Sequence, residues 1–183
     1  NHHTDEAAVT HDGLEDLRVD LLIAENARVL QGQPLMRLRA APGIALVAPM
    51  AGRVARIDLH PGHRLSQLVL FHDEGGDRHK FETQGAASRA TELRALLQES
   101  GLWRTLRSRP FGRTPRAGET PAAIFVMAVD SKPGAPKPMT AIAGREEDFI
   151  CGLDALSRFS DAKLFLCEPT GQSFTGQVPV SVT

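Results

Sequence analysis

Cysteine is nearly absent from this chain of 183 residues; Cys151 and Cys167 are its whole supply. Two scattered thiols cannot complete an iron–sulfur cluster or a structural zinc site. Both sit in apolar surroundings, so buried free thiols and a reducing compartment are expected. Long apolar runs are missing as well. The longest, Ala122–Val129, falls far short of the ~20 residues that span a bilayer. The front, Asn1–Glu6, is polar and does not resemble a signal peptide. The expectation is a soluble piece trimmed from a longer protein, with any membrane role exerted through partners. Charge of one sign is not in excess: the formal net charge is -1, so no global field draws the chain to nucleic acid or an anionic membrane. Neither G-x-G-x-x-G nor G-x-x-x-x-G-K-[ST] occurs, which removes the usual cradle for a pyrophosphate. No close carboxylate pair or Ser/His/Asp spacing suggests a hydrolase.

What is present begins with short strands. Leu17, Val19, Leu21 and Ile23 alternate with Arg18, Asp20 and Leu22, the period of a half-buried strand. Gly32 and Pro34 punctuate the next stretch, and Leu35 opens another strand. Turns are expected at Pro42-Gly43, at Pro49–Gly52 and at Pro61-Gly62, separating Ile44–Ala48, Val54–Leu59 and Leu65–Phe71. Strands this short and close argue for a small sandwich. His60, His63 and His72, with Asp58 and Asp73, fall in this module, and Asp77 and His79 follow. They read as surface loop residues, because nothing in their spacing demands convergence on a metal. His2, His3 and His11 carry still less signal.

The second half reads differently. Ser88–Ser100 has helical spacing, with Leu93, Leu96 and Leu97 on one face, Ser88 or Thr91 as cap and Gly101 as terminator. Leu102–Leu106 is expected to form a short helix burying Trp103 and Leu106, stopped by Pro110. Residues 122–130 form a strand apolar on both faces, Gly144–Phe159 a helix striped by Phe149, Leu153 and Leu156, with Ile150 beside them, and Lys163–Cys167 a second strand. That order is a β–α–β unit with parallel strands and a right-handed crossover. Asp130 and Glu168 then lie at the strands' carboxyl ends, where open α/β sheets bind ligands, although Asp130 before Pro133-Gly134 is also ordinary turn chemistry. The fold class expected is mixed α+β and α/β: a β module over residues 14–76, a linker over 77–87 and part of a Rossmann-like domain over 88–183. Arg104, Arg107, Arg109, Arg113 and Arg116, against Glu99 and Glu119, make the middle locally basic. That is either a solvated turn region or a surface facing an anion or a partner.

The pieces G-Q-P-L (32–35), A-P-M-A-G-R-V (48–54) and H-P-G-H-R-L (60–65) resemble the biotinyl/lipoyl-type barrel-sandwich family. Carriers of that family present a lysine on an exposed hairpin. Leu38–Gly43 is the corresponding hairpin and has none; the lysines are Lys80, Lys132, Lys137 and Lys163. A structural or docking role is therefore implied. Together with E-S-G-L-W-R-T-L-R-S-R-P-F (99–111), A-I-F-V-M-A-V-D (123–130) and D-F-I-C-G-L-D-A-L-S-R (148–158), the first two of these pieces resemble the A-subunit family of the sodium-translocating NADH:quinone oxidoreductase, in the family's order, from about Leu21 to Cys167.

This resemblance implies a peripheral subunit on the cytoplasmic face of the bacterial inner membrane, partnered by the other subunits of the complex and not by nucleic acid. The complex oxidises NADH, reduces ubiquinone and exports sodium ions, with flavins and iron–sulfur centres held in other subunits. Ubiquinone is a candidate contact, and Trp103 and Phe111 are aromatics available to it. Related flavoproteins, the C subunit of the Rnf complex and the flavoprotein subunit of complex I, carry a G-R-G-G-A-G-F-P-type loop near FMN. Here Trp103 and Leu106 are expected to fill that space or to turn inward as core, and arginines, which could hold an anion, do not recreate a nest of backbone amides. No catalytic, cofactor-binding or metal-binding residue is assigned to this chain. The alternatives are an NADH- and FMN-binding subunit of Rnf or complex I type, and a stand-alone docking module. Departures from the family are Asp130-Ser131-Lys132-Pro133-Gly134 in place of D-T-N-P-L, Glu168 where a lysine is common, and a poor match over Gln172–Thr183.

Overall fold

The computed structural model describes residues 4–11, 17–73, 75–85, 89–130, 132–135 and 137–169. They form two compact units, residues 1–84 with 94–119 and residues 85–93 with 120–183. His2, His3, Ser88, Ser131 and Gln172–Thr183 lie outside the described residues.

Among the described residues the first unit has seven strands: β1 (Glu6–Thr10), β2 (Val19–Leu21), β3 (Arg28–Val29), β4 (Pro34–Leu38), β5 (Ala41–Val47), β6 (Gly52–His60) and β7 (Arg64–His72). One antiparallel sheet has the order β1-β7-β6-β3 and the other β2-β4-β5. Alternation decides which side chains face inward. Leu68 and Leu70 of β7 and Val54 of β6 are fully buried from the first sheet, and Val19 and Leu46 join them from the second, together with both Leu35 and Met36, neighbours whose alternation is broken by a register shift between Pro34 and Met36. Register shifts at Val54/Arg56 and Asp58/Leu59 mark bulges that bend the β6–β7 ribbon. The expected barrel-sandwich β module is thus observed.

Several local expectations need correction. The strand expected over Leu17–Ile23 contracts to β2, and Leu21 is 38% exposed. β2 is an edge of its sheet and pairs there with β4, so nothing requires every alternate residue to be covered. The turn expected at Pro42-Gly43 lies earlier, at Arg39–Ala40, because Leu38 pairs with Ala41 and both Pro42 and Gly43 belong to β5. An edge strand tolerates that proline, and β5 is an edge of its sheet. β1 has no strand signal of its own in the sequence; it forms by pairing with β7, from Glu6 opposite Phe71 to Thr10 opposite Gln67.

The helix α1 (Ala90–Glu99) starts later than its apolar pattern suggests, and Thr91 lies inside it rather than at its cap. Leu93 is buried, and Leu96 and Leu97 are half-buried. Gly101, with φ at 77°, ends the helical stretch. A 3-10 turn over Leu102–Thr105 follows and buries Trp103, but Leu106 is already extended and is not enclosed with it. The turn therefore ends well before Pro110.

In the second unit, β8 (Ala123–Met127) and β9 (Lys163–Cys167) pair in parallel, from Ala123 opposite Lys163 to Met127 opposite Cys167. Between them lie α2 (Pro138–Ile142), which the sequence pattern does not reveal, and α3 (Glu146–Ser157). Leu153 of α3 and Leu164 of β9 are buried, with Phe149, Ile150 and Leu156 less so. α3 has no side-chain cap at Arg145; the Glu146 carboxylate instead accepts the Gly144 N–H at 2.9 Å, which holds its pKa below the ordinary value. The parallel strands and helices are those expected of an α/β region. Residues 122–130 are apolar on both faces, as in a strand covered on both sides, but among the described residues that covering is not observed: Phe125 and Met127 are 62% and 60% exposed, and Phe125 stacks on Phe165 at 5.1 Å.

Candidate functional site

The most elaborated local structure lies in residues 94–119 of the first unit. Gln98 is a buried polar side chain on α1, and its Nε2 donates to the Ala117 carbonyl at 2.8 Å. Arg94 donates to the carbonyls of Ala117 and Glu119, and its guanidinium lies 5.1 Å from the Trp103 ring centroid. The indole Nε1 of Trp103 donates to the Pro115 carbonyl at 2.8 Å. Trp103 is only 1% exposed. Its polar N–H and its π face each have a partner, as a buried tryptophan requires.

This segment is pinned to β4 and β5. Arg37 pairs with Glu99 at 2.7 Å. A Cβ on Gly101 would stand 3.0 Å from Val47, so glycine there serves both the left-handed backbone and the close approach. The sequence pattern marks Trp103 as a core residue. It does not mark Arg94 and Gln98, because their partners are carbonyls of a distant loop and no spacing announces such bonds.

The arginines do not act as one set. Arg113 pairs with Glu119 at 2.8 Å. Arg107 donates to the carbonyls of Arg104 and Leu106. Arg104 Nε is buried without a hydrogen-bond partner among the described residues. The side chains of Arg109 and Arg116 are on the surface. Glu119 is the electrostatic centre of the loop. It accepts from the Ser108 hydroxyl, the Arg116 backbone N–H and the Arg113 guanidinium, and its pKa falls from 4.5 to about 2, the Ser108 bond being the largest cause. A depressed carboxylate pKa stabilises the fold above its unfolded value, and the gain is lost as pH falls through the folded value. The stability difference between the wild type and Glu119→Gln should therefore be full above pH 4.5 and shrink between there and about pH 2. Nuclear magnetic resonance titration of the carboxyl carbon checks this. A midpoint near 4.5 would show that the hydrogen bonds do not form.

The remaining candidates are dispersed. His60 and His63 flank the β6–β7 turn and are exposed, His72 ends β7, and His79 packs edge-on against Phe81 at 4.7 Å. No group of three or more His, Cys, Asp or Glu that could hold a metal occurs among the described residues. Asp130 accepts the Lys132 backbone N–H at 3.0 Å, an Asx turn. Glu168 directly follows β9. Cys151 is exposed and Cys167 half-buried, so the expected burial of both thiols is wrong; Cys151 lies on an uncovered side of α3. Trp103 and Phe111 have opposite fates, the first enclosed and the second 86% exposed. An open cavity of about 310 Å³ is lined by Arg28, Leu30, Asp73 and Asp77 among others, with Arg28 and Asp73 paired across 3.4 Å. No helix among the described residues is long and apolar enough to cross a membrane.

An antiparallel double sheet with a lysine-free hairpin and a parallel β–α–β pair define a chain of the barrel-sandwich plus α/β class. Residues 1–72 match the NqrA N-terminal barrel-sandwich hybrid domain, and residues 88–183 match the NqrA second alpha/beta domain. The chain belongs to the NqrA family. It is similar to the A subunit of the Na(+)-translocating NADH-quinone reductase of Klebsiella pneumoniae (strain 342), at 38% identity over 165 residues, which is 87% of this chain and 36% of that protein. The same-named subunit of Serratia proteamaculans (strain 568) is 36% identical over 172 residues, 91% of this chain and 38% of that protein. That of Neisseria meningitidis serogroup A is 36% identical over 171 residues, with the same coverage of 91% and 38%. The chain thus spans between 36% and 38% of the length of these curated relatives.

Proposed function

We propose that this chain is the part of a peripheral, non-cofactor-bearing subunit that helps assemble a sodium-pumping NADH:quinone oxidoreductase and supports its quinone region. The parent reaction in this reading is oxidation of NADH coupled to reduction of ubiquinone and export of sodium ions. Flavins and iron–sulfur centres in other subunits carry the electrons, and the subunit sits on the cytoplasmic face of the bacterial inner membrane. Family membership and the names of the relatives support the parent complex. Within the chain, the domains of this reading are residues 14–76 and 88–183 with 77–87 between them.

The observation that carries the non-flavin role is the enclosure of Trp103. In the flavoprotein relatives the corresponding glycines leave room for backbone amides to approach phosphate and isoalloxazine. Here an indole fills the position, bonded to the Pro115 carbonyl and faced by Arg94. Displacing it would empty a large buried volume and strand a carbonyl. Equilibrium dialysis of the purified protein against FMN, and separately against NADH, tests this reading. No saturable uptake of either is expected; one-to-one binding of FMN would overturn it in favour of an Rnf-type or complex I-type flavoprotein role.

A further inference from the structure

We propose that the loop 106–116 is a rigid docking knob that seats Phe111 in an apolar, carboxylate-rimmed pocket of a partner protein; this rests on the reading of the chain as a peripheral subunit. Phe111 is 86% exposed, more than any other large apolar side chain among the described residues. A single exposed apolar residue is ordinary on a protein surface, but this one stands on a braced turn. The Ser108 N–H donates to the Arg113 carbonyl at 2.8 Å and the Gly112 N–H to the Ser108 carbonyl at 2.9 Å. Below the turn, Glu119 ties Ser108, Arg113 and Arg116 together. Such bracing removes the ordering penalty that a flexible aromatic meets on binding, and an aromatic anchored in a desolvated pocket is a common kind of binding hot spot.

Charge selects the partner. Residues 104–116 contain arginines and no acidic residue. Arg113 is neutralised by Glu119, whereas Arg109 and Arg116 form no side-chain ion pair among the described residues and lie on the surface beside the turn. The complementary rim is therefore acidic. A lipid surface fits less well. A whole myristoyl chain gives only marginal, reversible membrane binding, and one phenylalanine buries far less apolar surface than that. A shaped pocket uses one rigid ring fully, and a bilayer does not.

The test uses the full-length subunit expressed with its companion subunits in native membranes. Phe111 is replaced by the photoreactive p-benzoylphenylalanine, and Glu147, an exposed residue on α3, is replaced likewise as the control. Irradiation should give one discrete protein adduct from position 111 and none from position 147. In parallel, Phe111→Asp and Arg109→Glu should each lower subunit retention on washed membranes at least tenfold, while Phe111→Trp retains it. Because Phe111 is exposed, circular dichroism melts of these variants should match the wild type. Adducts confined to lipid, or full retention of Phe111→Asp with no protein adduct, would overturn the knob while leaving the subunit reading intact. Failure of the unmodified subunit to associate with the membrane would instead remove both.

Discussion

Trp103→Ala will destabilise the first unit by about 3–5 kcal/mol, the range for deleting a buried tryptophan. The side chain is only 1% exposed, so the whole ring volume becomes a cavity or forces collapse around it. The Pro115 carbonyl, which accepts the indole N–H at 2.8 Å, is left without that donor and adds about 1–3 kcal/mol where water cannot reach it. Arg94 also loses the ring beneath its guanidinium, though its bonds to the Ala117 and Glu119 carbonyls remain. Since domains are stable by only about 5–15 kcal/mol, the variant should unfold at much lower urea. Trp103→Phe separates the two contributions: it keeps most of the ring volume and loses the hydrogen bond, so its effect should be the smaller. Urea titration followed by far-ultraviolet circular dichroism measures both, as the chain's one tryptophan is removed. An unchanged midpoint for Trp103→Ala would mean that the indole is not enclosed.

Gly52→Ala should be nearly as damaging, for a different reason. A Cβ at Gly52 would lie 2.0 Å from the Phe71 carbonyl oxygen and 3.0 Å from its carbon. Both atoms are backbone, so no rotamer change relieves the overlap. Gly52 pairs with His72 on one side and with Val29 on the other, and its displacement disturbs three strands of the first sheet. Overpacking commonly costs about 1–3 kcal/mol and more where the neighbour cannot move; here a loss above about 3 kcal/mol is expected. The adjacent Arg53 is exposed, and Arg53→Ala should stay within about 0.5 kcal/mol. Urea midpoints of the two variants decide the matter. Equal stability of Gly52→Ala and Arg53→Ala would show that β6 and β7 do not approach as described.

Why one part of this is readable in the sequence and another is not follows from what each element depends on. β9 is legible to the residue, because Lys163–Cys167 is an apolar run between polar flanks. β6 and β7 are legible from the Pro61-Gly62 turn that joins them. Gly52 is different: it looks like the end of a turn, and its need for a bare Cα arises from Phe71, which only pairing brings near. β1 and β3 likewise depend on partners more than on their own patterns. The exposure of Phe125 and Met127 runs against an apolar pattern that, on its own, reads as a strand covered on both sides. At the candidate site, the burial of Trp103 is readable from its apolar company, but the identity of its holders is not. Arg94, Gln98 and the carbonyls of Pro115 and Ala117 meet through a loop whose path is set by tertiary contacts.

The sole tryptophan offers the most direct readout of whether an indole holds the position that a flavin loop would need. Its emission, recorded during addition of FMN to the purified protein, should be blue-shifted and poorly quenched by acrylamide at the start. Beyond the absorbance correction it should not change with FMN. Saturable quenching of Trp103 emission at one FMN per chain would contradict the account.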